Sequence, residues 1–401
     1  MTQQPEDWLR QQFSAKFEEE SRSIGRFNLA IFGKTGVGKS TLINAIFGEE
    51  VAATGIGAPI TRGSHLYLHV SGHFGVLDTR GLEIGKDSAT ILRELEQYVQ
   101  EMRRKPLAEQ VHVVWYCVRA ADRRFEDTEA EFIRALHRLG LPVLLVFTQV
   151  PMRDGQYHPD ALELRNAIRD RHLPLNGEPV FLTYAKADKF AGYEPHGLQE
   201  LLDATFRVAP QGVAAALTAA QKIDMGRKRA AANKAIGVAV TAAGAAGATP
   251  IPFSDAVILV PIQLSMMARI SHIYDIKVDK ATTAALAATA AATAGGRSLV
   301  TGLLKLVPGF GSVVGGTIAA GVASGITWAM GQAWTVVCTR ISLGEFSSVS
   351  GALDNDEIRK VFMDEFKNSV RRRLPAGGSE SGRGAERPPP AEDAEAPADS
   401  S

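Results

Sequence analysis

The stretch FNLAIF-GKTGVGKS-TLINAIF, residues 27–47, decides the fold of the chain's first half. Six mostly apolar residues read as a buried strand, eight residues with three glycines as a tight loop, and the apolar spacing of TLINAIF as a helix. The loop has the pattern GxxxxGK[ST] in the strand–loop–helix setting that the pattern requires. Glycines let successive backbone N–H groups turn inward around phosphate oxygens, and the start of the following helix adds its partial positive charge. The candidate phosphate-binding set is therefore Gly33, Lys34, Thr35, Gly36, Val37, Gly38, Lys39, Ser40 and Thr41. Lys39 is expected to reach the β and γ phosphates and Ser40 to ligate Mg²⁺. The bland alternative is a glycine turn that happens to end in Lys-Ser, and the flanking strand and helix argue against it.

Working outward, residues 26 to about 208 alternate short apolar runs with helical stretches: SHLYLHV, FGVLDT, SATILRELEQYV, VHVVWYCV, EAEFIRALHRLG, PVLLVFT, ALELRNAIRD, PVFLTYA and GLQELLDATF. This alternation predicts an α/β domain with a mostly parallel sheet and helices on both faces. Two further segments stand at workable distances from the loop. Thr61, 21 residues after Ser40 in APITRG, offers a hydroxyl and an N–H for Mg²⁺ and the γ phosphate. Asp78-Thr79-Arg80-Gly81 closes the strand FGVLDT and brings a carboxylate to the sheet edge facing the loop, with Gly81 as a flexible γ-phosphate donor. The expected metal set is Ser40, Thr61 and Asp78, and the expected catalytic set is Lys39, Thr61 and Gly81.

With these residues in place, residues 26 to about 207 resemble the translation-factor-related, Era-like P-loop GTPases. Gly33–Ser40 is similar to that family's first motif, Thr61 to the switch I threonine and Asp78–Gly81 to its third motif. Thr148-Gln149-Val150-Pro151 stands where the guanine reader Asn/Thr-Lys-x-Asp belongs, and Tyr184-Ala185-Lys186 resembles the fifth motif. The resemblance implies GTP and GDP as ligands with Mg²⁺, contacts from Thr148, Gln149, Ala185 and Lys186, and hydrolysis of GTP. Several residues depart from the family pattern. Gln149 replaces the base-stacking lysine, and Pro151 the carboxylate that grips guanine, which weakens discrimination because charge-assisted bonds are the strong ones. Asp154 is either a substitute carboxylate or an ordinary loop acid. Leu82 stands where many relatives orient water with glutamine, which predicts slow intrinsic hydrolysis relieved by a dimer partner or activating protein, with Arg80 as a candidate in cis. Gly36, where potassium-activated relatives have asparagine, argues against potassium activation.

Composition sets the outer limits. At 401 residues the chain is too long for one core. Forty-four Lys and Arg balance 44 Asp and Glu, which counts against a nucleic-acid coat held by phosphate contacts. Its two cysteines, Cys117 and Cys338, exclude a disulfide framework and fit a reducing cytosol. MTQQPEDWLRQQF has no basic start followed by an apolar core, so no secretory leader is expected. Four segments follow: an amphipathic leader helix over 1–25 with Trp8, Leu9, Phe13 and Phe17 on one face, the P-loop domain over 26–210, an all-α helical domain over 211–372 rich in Ala and Gly, and a disordered acidic tail over 373–401.

The helical half resembles the YcjF-type domain that accompanies GTPases in bacteria, for which the resemblance implies membrane association without a settled activity. Residues 235–254 and 306–339 carry no charge. They fit a membrane contact, flanked by Arg227, Lys228, Arg229 and Lys234 and with the GxxxG pairs Gly311/Gly315 and Gly321/Gly325, ahead of the alternative of a soluble bundle of closely packed small residues. Leu264, Met266 and Met267 read as core, Pro261 as a kink, and His65, His69 and His73 as solvated strand residues. The expectation is a cytoplasmic GTPase, peripheral or integral at the inner membrane, that passes nucleotide state to this half. The competing classes are a ribosome- or RNA-binding switch and a self-assembling dynamin-like or immunity-related scaffold.

Overall fold

The computed structural model describes residues 5–48, 57–59, 64–79, 88–247, 255–277, 279, 317–346 and 355–373. Thr61, Arg80, Gly81, Leu82, Gly311, Gly315 and the expected tail over 374–401 lie outside the described residues.

The P-loop domain is a seven-stranded sheet in the order β2-β3-β4-β1-β5-β6-β9. Strands β1 (Phe27–Phe32), β4 (Phe74–Thr79), β5 (Val113–Arg119), β6 (Val143–Thr148) and β9 (Phe181–Leu182) run parallel. At one edge β2 (Gly57–Pro59) and β3 (Ser64–Leu68) are antiparallel additions, β3 pairing with β4 from Ser64↔Thr79 to Leu68↔Gly75. Strands β1, β5 and β6 are buried on both faces, the reason their sequence is continuous rather than alternating in polarity.

After α1 (Pro5–Ile24), one face carries α2 (Lys39–Phe47) packed on Phe27, Leu29 and Ile31, and the other carries α3 (Ser88–Met102), α4 (Asp127–Arg138) and α5 (Pro159–Arg169). The hairpin β7 (Met152–Arg153) and β8 (Gln156–Tyr157) precedes α5. Helix α6 (Leu198–Val208) returns to the α2 face, where the buried Trp115 indole donates to Thr205 at 3.0 Å.

Residues 211–220, grouped with the helical half on composition, pack elsewhere. Val213 and the buried Ala216, Leu217, Ala219 and Ala220 of α7 (Ala214–Ala220) join the α2-face core of the P-loop domain. Their alanines fit that crowded face as well as they would fit a bundle, so composition could not tell the two apart.

The helical domain consists of α8 (Met225–Gly247), α9 (Asp255–Ile273), α10 (Thr317–Ser342) and α11 (Asn355–Arg373). Its core holds Leu264, Met266 and Met267 of α9, Trp334 of α10, and Ile358, Phe362 and Phe366 of α11. Pro261 stands inside α9, which continues through it to Ile273. The leader helix α1 belongs to this core as well: Phe13 and Phe17 are buried in it, so the chain's first helix packs on its second domain. Among the described residues no helix is long and apolar enough to cross a membrane.

Two expectations are corrected. His69 and His73 are buried, not solvated, because they flank the β3–β4 turn rather than continue a strand. Half of the presumed basic flank is internal or paired: Lys228 is 1% exposed, and Arg227 bonds Asp203 at 2.9 Å and Asp224 at 3.2 Å while its guanidinium lies 4.0 Å over the Phe206 ring, whereas Arg229 and Lys234 are exposed.

Candidate nucleotide site

Strand β1 delivers the chain to the carboxyl edge of the sheet, and the loop that follows is shaped by its glycines. Gly33, Gly36 and Gly38 have φ of 135°, 80° and 95°, a region side chains disfavour. At Gly33 glycine is also required for space, since an added Cβ would meet the Cys117 carbonyl oxygen of β5 at 2.2 Å. Gly38 is the N-cap of α2 and brings no side-chain cap, so the first-turn N–H groups remain turned to the loop. Val37 anchors the loop by burial, while Thr35, Gly36, Ser40 and Thr41 are exposed.

Lys39 lies within the loop it closes. Its Nζ donates to the carbonyls of Gly33 at 2.8 Å and Lys34 at 3.0 Å. Lys34 points away, to Glu126 at 3.1 Å and Glu129 at 3.8 Å at the start of α4. That bond holds the Glu126 carboxyl below the usual range, whereas burial pushes Glu129 above it. The two glutamates form a capping box, with the Glu129 carboxylate accepting the Glu126 N–H at 2.8 Å. The sequence reading missed this support, although the spacing of FEDTEA before an apolar helix carries its signal. Burial also pushes the Cys117 thiol up to about 12, so it is a packing group rather than a nucleophile.

The fourth-motif residues meet the loop directly. The Thr148 hydroxyl, at the end of β6, donates to the Val37 carbonyl. Gln149 follows with φ of 55°, a left-handed turn that lays its amide beside Gly38; a Cβ at Gly38 would lie 3.2 Å from Gln149 Nε2. Pro151 has its carbonyl taken by the His158 N–H at 2.9 Å. Asp154 sits with Gly155 at the exposed tip of the β7–β8 hairpin, as an ordinary loop acid would.

Phe147↔Leu182 pairing sets the segment after β9 beside Thr148, and so places Tyr184, Ala185 and Lys186 at the same sheet edge. Tyr184 is held there by exchange of backbone hydrogen bonds with His196 at 3.0 and 2.9 Å. Asp78 stands at the carboxyl end of β4, in register with Ile31 of β1, one residue before the loop-bearing end of that strand. Thr61 and Gly81, the other members of the expected metal and catalytic sets, lie outside the described residues. Among the described residues no cluster of His, Cys, Asp and Glu is arranged to hold a metal by itself.

Comparison with known proteins matches the two halves separately, and the second match begins ahead of α7, which packs on the P-loop domain. Residues 28–149 match the family described as 50S ribosome-binding GTPase, and residues 210–359 the family described as Domain of unknown function (DUF697). GTPase Der of Limosilactobacillus reuteri is 28% identical over 189 residues, 46% of this chain and 37% of that protein. GTPase Der of Brevibacillus brevis is 32% identical over 158 residues, 38% of this chain and 31% of that protein. The chain thus spans little more than a third of the curated relatives it matches. Among solved structures, an Era variant from Aquifex aeolicus bound to GDP.AlF4- aligns at 22% identity with a TM-score of 0.32, covering 47% of this chain and 58% of that one.

Proposed function

We propose that this chain, which joins a P-loop GTPase domain to a helical domain of the DUF697 family, hydrolyses GTP to GDP and phosphate with Mg²⁺ and passes its nucleotide state to the helical half. The observation that carries the reading is the loop itself, with three glycines in positive-φ conformations and Lys39 held inside it. The loop's N–H groups and the α2 N-terminus bind and orient the phosphates, and the Lys39 ammonium balances charge on their bridging and terminal oxygens. Ser40 and Asp78 provide hard oxygen donors of the type Mg²⁺ prefers, so the residues present suit that ion. A Mg²⁺ ion held by them would supply positive charge to offset that on the phosphates. Thr148 fixes the loop from below, and Gln149 with Ala185 and Lys186 lines the base side. Leu82 has no group to orient attacking water, so intrinsic turnover is slow. The test is nucleotide titration and phosphate release with the full chain and with Lys39→Ala; micromolar affinity retained by that variant would overturn the assignment.

The uncharged stretches of the helical half carry the further reading of contact with a membrane. Liposome flotation of the full chain, with GDP and with a non-hydrolysable GTP analogue, tests it, and failure to float with either nucleotide rejects it. A ribosome-binding reading is favoured by one finding, the description of the family matched by residues 28–149. Co-sedimentation with 50S subunits that survives moderate salt decides it.

A further inference from the structure

The helical domain meets the P-loop domain at the amino edge of the sheet, the end opposite the phosphate loop, where further ties join the Arg227–Asp203 and Lys228–Ala219 bonds. His73, in the β3–β4 turn, places Nε2 2.8 Å from His272 Nδ1 on α9. His73 Nδ1–H donates to Gly25 O at 3.0 Å and His272 Nε2–H to Phe17 O at 2.8 Å, which stitches α1 into the contact and leaves the two facing nitrogens to share a hydrogen bond only when one ring carries a second proton. The Lys222 N–H, between α7 and α8, donates to Ile46 O at the end of α2 at 2.8 Å, and its ammonium pairs with Asp275, just past α9, at 2.5 Å.

These ties engage the far ends of elements whose near ends form the nucleotide site. Helix α2 opens at Lys39 and Ser40 and closes one residue past Ile46, a rod of about 13 Å. Strand β4 closes at Asp78 and Thr79 and opens beside His73, about 20 Å away. Strand β3 is locked to it, Ser64 opposite Thr79 and Leu68 opposite Gly75, and begins three residues after Thr61. Among the described residues this ribbon is joined to the rest of the sheet through β4 alone, with only three-residue β2 beyond it. A pocket of about 700 Å³ lined by Phe17, Phe47, Gly48, His69, Lys222 and His272 lies beside the junction.

We infer that nucleotide state is carried to the helical domain through the β3–β4 ribbon, with the His73–His272 contact as the joint. The inference rests on the GTPase reading above. The helical domain would sense a displacement at the far pole of the sheet without touching the nucleotide, and linkage requires that its own ligands bias nucleotide affinity in return.

Hydrogen exchange of the full chain, free and saturated with GDP or with a non-hydrolysable GTP analogue, tests the joint. In the wild type, peptides covering 13–24 and 264–276 should exchange at rates that differ between the two nucleotides by about fivefold or more, the lower end of ordinary coupling. His73→Ala removes the side-chain joint while leaving the Phe27 N–H bond to the residue-73 carbonyl that sets the strand. It should bind both nucleotides and lose that difference. His272→Phe keeps a ring in place without nitrogens and should do the same. A difference that persists in both variants overturns the relay, and so does a wild type that binds both nucleotides and shows none. Absence of nucleotide binding, read separately by titration, would overturn the GTPase reading and the relay with it.

Discussion

Lys228 turns the folded chain into one that gains stability in mild alkali. Its side chain is buried at the junction of α7, α8 and α9, 1% exposed, with Nζ donating to the Ala219 carbonyl at 2.8 Å and the Ile273 carbonyl at 2.5 Å. The nearest carboxylate, Asp275, is paired with Lys222 instead. Burial first, and the Lys222 charge second, lower the Lys228 pKa to about 7. An unfolded lysine titrates near 10.4, so between those values the unfolded chain holds the extra proton and the folded one does not. Stability must then rise with pH across that window and fall as pH drops toward 7, by at most about 1.4 kcal/mol per unit. From pH 7.5 to 9.0 the gain is about 2 kcal/mol. Lys228→Met keeps an unbranched chain of similar reach and removes the titrating group. The measurement is urea unfolding at both pH values, followed by far-UV circular dichroism, to which the helical domain contributes directly. Groups other than Lys228 contribute equally to both proteins, so the stability difference between wild type and variant should shift by that amount. An unchanged difference at the two pH values would refute the buried-amine account.

Gly33→Ala should abolish nucleotide binding, because its Cβ would collide with the Cys117 carbonyl, whereas Gly36→Ala meets no atom within 4 Å and should cost only its left-handed backbone, about 1 kcal/mol; titration and thermal melts separate the two. Thr148→Val removes the hydroxyl that holds the Val37 carbonyl and should destabilise the P-loop domain by about 1–3 kcal/mol while weakening GDP binding; unchanged affinity would show that the loop holds its shape alone.

The phosphate loop was legible because its chemistry is local: positive-φ glycines, an inward lysine and a helix start must follow one another in the chain. The core of the helical domain was legible for a similar reason, since Leu264, Met266 and Met267 lie on one helix and have little polar competition. What escaped the sequence depends on partners far away in it. His73 finds His272 across 199 positions, and nothing within SHLYLHVSGHF distinguishes that histidine from a solvated one. Lys228 was misread because a basic cluster ahead of an uncharged helix looks the same whether its ammonium meets lipid headgroups or the carbonyls of Ala219 and Ile273. The alanines of 214–220 pack under the sheet for want of any bulk that would have assigned them to one core or the other.

The base side of the site combines both situations. Thr148 keeps the structural half of the guanine-reading motif: its hydroxyl ties β6 to the loop. Gln149 keeps the position over Gly38 but brings a neutral amide where the resemblance calls for an ammonium on an alkyl stem. Pro151 cannot supply a carboxylate, and the exposed acid three residues on is committed to a hairpin turn with Gly155. On the proposed function, phosphate recognition and base recognition are unequally built in this chain. The first uses a full set of backbone donors and Lys39, while the second lacks the charge-assisted pair that makes discrimination steep. Nucleotide affinity should therefore depend mainly on the phosphates, and exchanging guanine for another purine should cost this protein less than it would cost one with the complete motif.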